Sequence, residues 1–254
     1  MIIAQLLYLL SFLFDHSMSC QASAFETDEI GNIYLIQERS IEKIDTKGNF
    51  LFKNSNLDYG NITHLDLTNP FQPFVFYQEQ GKVIILDNTL SQQGAPIDLF
   101  EKGLGNIECM GGARGDAFWL WDINQSELKK VDRQFNIVLT TGNLSMLLNK
   151  ELHFSQIQES GNFIYAADPA HGIFVFDIYG NYKSLLPVSY EGKIAVRDDR
   201  IYYISNGQLN IIQYLNLESL SIPLPAGFKG DWDFRNRTLQ YISDRQLHFY
   251  RLSE

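Results

Sequence analysis

The sequence predicts an all-β fold, a six-bladed β-propeller of antiparallel meander blades, and three observations carry that reading. The first is the grain of the stretch from Asp28 to Phe52. Gly31-Asn32 opens Ile33 to Ile36, a polar bend at Gln37 to Ser40 leads into Ile41 to Asp45, and Gly48-Asn49 opens Phe50 to Phe52. Gly-Asn tolerates positive φ, which is what a tight turn between antiparallel strands demands. The second is recurrence. Apolar runs end at Asp45, Asp87, Asp132, Asp177, Gln213 and Arg251, at intervals of 42, 45, 45, 36 and 38 residues. Several strands per repeat at such a period is the mark of a propeller blade. The third is a lack of alternation in runs such as Phe118-Trp119-Leu120-Trp121, which implies burial on both faces. Blades packed between two neighbours supply that burial, whereas a two-sheet sandwich does not.

Each blade's second strand falls into line: Ile33 to Ile36, Phe74 to Tyr77, Phe118 to Trp121, Phe163 to Ala166, Ile201 to Ile204 and Leu239 to Ile242. Trp119 and Trp121 are expected on opposite faces of theirs, each against a neighbouring blade. Helices find little support, and Leu144 to Leu152 alone has room for a helical turn. The sixth blade shows strands near Phe228 to Phe234, Thr238 to Ile242 and Leu247 to Leu252, after which the sequence stops. A fourth strand from Leu6 to Phe14 would pair there only if the N-terminus stays in place. That run lacks the alternation of an outer strand, so three strands is the default expectation for the last blade.

The N-terminus reads as an address. Ile2 to Phe14 is almost wholly apolar, short for a membrane span and suited to the apolar region of a signal peptide. Residues 1–24 are therefore read as a signal peptide cut after Ala24, and residues 25–254 as a single propeller domain. Ser17-Met18-Ser19-Cys20 also permits a lipoprotein reading, with Cys20 lipidated. Both lack the basic start of an export signal, since Arg39 is the first Lys or Arg. An exported protein, periplasmic or outer-membrane associated, is the expectation; a cytoplasmic chain is the alternative.

The residues DEIGNIYLIQERSIEKIDTKGNFLFK resemble an NHL-type propeller repeat, in which Gly-Asn-Ile-Tyr is followed by a loop and a strand ending in Asp-x-x-Gly. The likeness is good in the first blade and recognisable in the fourth, GNFIYAADPAHGIFVFDIYGNYK. Through Asn61 to Leu90 the chain also resembles uncharacterised exported six-bladed propellers of the Bacteroidetes type. This resemblance implies the architecture and an envelope setting, and no activity.

Composition and motifs narrow the function. With 20 basic and 30 acidic residues the formal charge is −10, and no run of Lys or Arg occurs. Nucleic acid is disfavoured, because phosphate binding needs concentrated cations. Cys20 and Cys109 lie far apart and the five histidines show no metal spacing, so no metal or cofactor is expected. No nucleophile elbow or phosphate loop is present, and no catalytic residue is assigned. Arg114-Gly115-Asp116 reads as a tight turn. Asp45, Asp87, Asp132 and Asp177 share a register at strand ends and read as turn caps, not as a carboxylate ring.

A face remains. The turns between second and third strands, with the connections between blades, gather Glu38, Arg39, Glu79, Asp122, Asn124, Asp168, His171, Asn206, Asp244 and Arg245 on one side of the ring. The sequence thus supports a non-catalytic, monomeric propeller that presents this face to another envelope protein, with membrane contact only through a lipid anchor. The alternative is a hydrolase or lyase using Asp122, Asp168 and His171 at the mouth of the central channel.

Overall fold

A computed structural model describes residues 10–55 and 58–253 of the chain. The chain enters with β1 (Phe12–Ser19), which belongs to the last blade and not the first. Blade one follows as β2 (Ala24–Thr27), β3 (Ile33–Gln37), β4 (Ser40–Ile44) and β5 (Phe50–Ser55). Blade two is β6 (His64–Asp66), β7 (Phe74–Tyr77), β8 (Lys82–Ile85) and β9 (Ile97–Asp98). Blade three is β10 (Ile107–Ala113), β11 (Ala117–Asp122), β12 (Glu127–Val131) and β13 (Ile137–Thr140). A short helix, α1 (Leu144–Leu148), precedes blade four: β14 (Gln156–Ser160), β15 (Phe163–Asp168), β16 (Gly172–Asp177) and β17 (Tyr182–Leu186). Blade five is β18 (Ile194–Arg197), β19 (Arg200–Ser205), β20 (Gln208–Gln213) and β21 (Ser219–Pro223). Blade six is β22 (Trp232–Arg235), β23 (Thr238–Ser243) and β24 (Gln246–Leu252), completed by β1. The six sheets are four-stranded and antiparallel, and they form a six-bladed propeller.

Packing shows why the second strands are apolar throughout. Six core clusters occupy the six gaps between blades. Phe74 and Phe76 meet Phe118 and Leu120 between blades two and three, and Trp119 and Trp121 meet Ile164 and Phe174 between three and four. Corresponding clusters join blades four and five, five and six, six and one, and one and two. Every residue of β7 and β11 is buried. One expectation needs correction. Trp119 and Trp121 share a face, toward blade four, because residues two apart on a strand project to the same side. Phe118 and Leu120 supply the opposite face.

Between blades three and four the inner strands come close enough to restrict a side chain. A Cβ at Gly111 would lie 2.0 Å from the Ile157 carbonyl oxygen, so glycine sets the spacing there. The turn at Leu144 is helical as anticipated: the Asn143 side chain caps it by accepting a hydrogen bond from the Met146 N–H at 2.7 Å.

The closing blade also departs from expectation, since it has four strands and not three. The segment that pairs is Phe12–Ser19, offset toward the C-terminus from Leu6 to Phe14, of which residues 6–9 lie outside the described residues. Its physical logic is a bulge at Asp15, where the register with β24 shifts. Before the bulge Phe12 sits edge-on to Phe234 in the cluster between blades five and six. After it Met18 joins the cluster between six and one. The strand thus changes face at the bulge, and its two halves reach different gaps. Cys20 follows, 4% exposed, with its thiol accepting a hydrogen bond from the Ala22 N–H at 3.3 Å.

Fully buried Trp121 contacts Phe154 with ring centroids 4.5 Å apart. Trp121→Ala should cost about 3–5 kcal/mol in urea unfolding; a loss under about 1 kcal/mol would contradict packing between blades as the source of stability.

Candidate functional site

The strand-end aspartates build one turn four times. Asp45 accepts hydrogen bonds from the N–H of Lys47 and Asn49 and from the Asn49 side chain, each at 2.8 Å. Asp132 and Asp177 repeat this with Asn136 and Asn181, and Asp87 does so with Thr89 and Ser91. Asp28 makes the same turn between β2 and β3, with Asn32 in the fifth place. The fourth place needs positive φ, met by Gly31, Gly48 and Gly180 and by Phe135 and Leu90 in the two degenerate copies. These carboxylates are turn caps. Arg114 to Asp116 likewise forms the turn between β10 and β11, with positive φ at Gly115 and Asp116.

The residues assigned to the loop face all lie in second-to-third strand turns, as expected, but they do not converge. Arg39, Glu79, Asn124, Asn206 and Arg245 are exposed, each on its own blade. Asp244 pairs with Lys229 at 2.7 Å. Asp122 is buried, ion-paired with Lys129 at 2.6 Å and bonded to the N–H of Asn124 and Gln125. Asp168 is also buried and accepts from the N–H of His153, Ala170 and His171. His171 is held beside it, Nδ1 at 3.1 Å from Oδ1. Asp122 and Asp168 thus order their own turns, and changing them acts on the fold first. Among the described residues no group of three or more His, Cys, Asp or Glu side chains is placed to hold a metal ion.

What the sequence did not mark on this face is the connection from β13 to β14. Leu144 is buried and Leu148 packs on the core, while Met146 and Leu147 are 82% and 67% exposed on the next positions of α1. The Asn143 side chain donates to the Gln125 carbonyl, which ties the helix to the adjoining turn of blade three.

The second feature is the central channel, about 710 Å³, lined chiefly by inner strands β2, β6, β14, β18 and β22. Lys193 bonds Glu26 at 2.9 Å and Asp231 at 3.1 Å at one end. Toward the other end Arg197 pairs with buried Asp233 at 2.5 Å, and Arg235 stands 4.0 Å from the same carboxylate. Arg200 and Arg237 also line the channel there. Basic residues that form no run in sequence are therefore gathered by the fold. The signal was present as Arg197-Asp-Asp-Arg200 and Arg235-Asn-Arg237, equivalent turns one repeat apart.

No protein-family model matches the chain. Two 2-aminoethylphosphonate–pyruvate transaminases of Vibrio vulnificus are 30% identical to it over 149 residues, 55% of this chain and 36% of theirs. The chain thus spans about a third of the length of the curated relatives it matches. Solved structures resemble it far more completely. Virginiamycin B lyase from Staphylococcus aureus superposes with a TM-score of 0.67 over 96% of this chain and 100% of that one, at 10% identity. The Pan2 WD40 domain of Neurospora crassa gives 0.65 over 94% and 95%, at 9% identity. BamB from Moraxella catarrhalis gives 0.53 over 94% and 99%, at 10% identity. At such identities the likeness is one of fold, shared by a lyase and by propellers that carry other names.

The capped turns respond to acid. The carboxyls of Asp45 and Asp132 are held below the ordinary range, first by their asparagine partners, and that of Asp87 first by Thr89. At Asp177 burial works the other way but is outweighed by Lys183 and Asn181, and its pKa falls to about 2. Folded-state values below the unfolded value of about 3.9 add stability that is complete above that pH. It is lost as pH falls through the folded values. The contribution of these turns to the melting temperature should therefore hold steady above about pH 5 and drop between about pH 4 and 2. Asp177→Asn should remove part of that drop; an unchanged acid slope would show that the turn is not charge-stabilised.

Proposed function

We propose that the chain is a protein-binding propeller that works through its loop face, and the observation that carries this is the exposed Met146–Leu147 pair on α1. Two large apolar side chains, displayed on a helix whose neighbours Leu144 and Leu148 anchor it, have the form of an interface anchor. The exposed charges of Arg39, Glu79 and Arg245 lie on the same face of the ring, on blades one, two and six. A partner offering an apolar pocket, another protein of the cell envelope, fits this face. The hydrolase or lyase alternative is weakened by geometry, since Asp122 and Asp168 already spend their oxygens on backbone N–H groups and Lys129. The lyase among the structural neighbours supports the architecture of such a site and no residue of it.

The envelope setting rests on the apolar run Ile2 to Phe14 and on the likeness of Asn61 to Leu90 to exported propellers. A cut after Ala24, or lipidation of Cys20 after removal of what precedes it, would take β1 from blade six and leave the edge of β24 open. Export with β1 retained is the form that keeps the ring closed. Intact mass of the chain from its native host should show Phe12 onward present in an envelope fraction. A start between Cys20 and Phe25 would overturn retention, and an intact Met1 in the cytoplasm would overturn export.

Met146→Asp with Leu147→Asp should abolish capture of the partner from envelope extracts, read by mass spectrometry, while altering stability by no more than about 0.5 kcal/mol. Leu215→Asp with Leu217→Asp, exposed on the opposite side between β20 and β21, is the control and should leave capture intact. The reverse pattern would place the working surface on the other side of the ring.

A further inference from the structure

The channel carries more charge than the ring needs. Arg197 donates to the Phe234 carbonyl of blade six at 3.1 Å, and Arg235 donates to the Thr27 carbonyl of blade one at 3.1 Å. Each arginine so straps its blade to the next. A neutral side chain does the same work one gap earlier, where the Gln158 amide donates to the Ile194 carbonyl at 3.2 Å. Strapping therefore does not explain why the two residues are cationic.

Their charge is also incompletely answered. Two guanidinium groups share the one carboxylate of Asp233, with Arg197 in contact and Arg235 at 4.0 Å. Arg235 Nε and the Asp233 Oδ2 that faces it at 4.0 Å are both buried without a hydrogen-bond partner. Burial first, and then the neighbouring Arg197, work against the charge on Arg235. Nearby, Arg200 Nε bonds only the neutral Gln213 amide oxygen, and Arg237 bonds the carbonyls of Leu252 and Ser253. Four of the chain's nine arginines thus stand at one mouth of a channel in a protein of formal charge −10. Exposed Glu29 and Asp198 are also at that mouth and temper the field. The anionic residues of the opposite wall are already served: Asp66 by the N–H of Gly112 and Thr68, and Glu159 by Trp119 and Lys130.

We propose that this mouth, where blades five and six meet, binds the phosphate group of a small phosphorylated molecule, with Arg197 and Arg235 as the inner donors and Arg200 and Arg237 at the rim. Guanidinium forks match the oxygens of a tetrahedral dianion. A site inside a channel of about 710 Å³ has room for the rest of a small molecule. This site is separate from the α1 surface and stands or falls without it.

The test is calorimetric titration of the full chain with inorganic phosphate and with glycerol 3-phosphate, at constant ionic strength. Saturable binding of one phosphate per chain is expected. Tighter binding of the ester identifies a phosphorylated small molecule, and equal binding identifies free phosphate as sufficient. Arg235→Gln keeps an amide for the Thr27 strap and should weaken binding about tenfold, the loss of one charge-assisted hydrogen bond. Arg200→Gln, on an exposed residue, should weaken it in the same direction with melting unchanged, so a folding defect in the first variant leaves the question decidable. Arg245→Gln, on the other face, should leave binding intact. Absence of saturable binding by either probe, or equal weakening by all three variants, would overturn the proposal.

Discussion

Six inner strands face the axis of this ring with their edges unpaired, and the side chains that line the channel answer that constraint. An open strand edge leaves N–H and C=O groups without partners, which is costly wherever water is scarce. At four of the six gaps polar side chains make such bonds. Asp66 takes the Gly112 N–H, Gln156 and Gln158 take those of Ile194 and Val196, and Asp231 takes that of Phe25. Arg197 and Arg235 do the complementary work on carbonyls. A propeller's channel is polar because its blades must be laced together there, while the sheet faces a few ångströms outward are packed with tryptophan and phenylalanine.

That division separates two kinds of evidence about function. A polar residue in the channel is structural until its bonds have been counted, and most of those in this channel are used up by lacing. The same holds for the loop face, where Asp122 and Asp168 resemble a reactive pair in sequence and prove to be turn-formers in space. What survives the count includes the exposed Met146–Leu147 pair on the loop face and an arginine group larger than its lacing role at the channel mouth. Each is informative because local structure does not require it.

Legibility in the sequence follows the same physics. The second strands were readable to within a residue or two because burial on both faces leaves unbroken apolar runs, as at Phe74 to Tyr77. The turns were readable because Asp, a positive-φ residue and Asn at fixed spacing form a self-contained motif, as at Asp45 to Asn49. β1 was misplaced because its pairing runs from the end of the apolar run, Phe12 to Phe14, past a bulge at Asp15 into the polar stretch His16 to Ser19, which carries no strand signal of its own. The arginine group was legible only as two separate pieces, for a different reason. It is assembled from two turns 38 residues apart, and only the closing of the blades brings those turns to one mouth.

Closure itself links these features. β1 pairs with β24 in blade six, the blade that also supplies Asp233, Arg235 and Arg237, and it touches the clusters on both sides of that blade through Phe12 and Met18. Blade six is in turn strapped to blade one by Arg235, so the joint between the two ends of the chain and the arginine mouth occupy the same sector. An anion that ordered Arg235 would reinforce the strap across that joint. A ligand bound in the channel would then act on ring closure through this contact, because the guanidinium that meets the ligand also holds blade six to blade one. Arg235 is the residue through which such a site and the seam would be coupled.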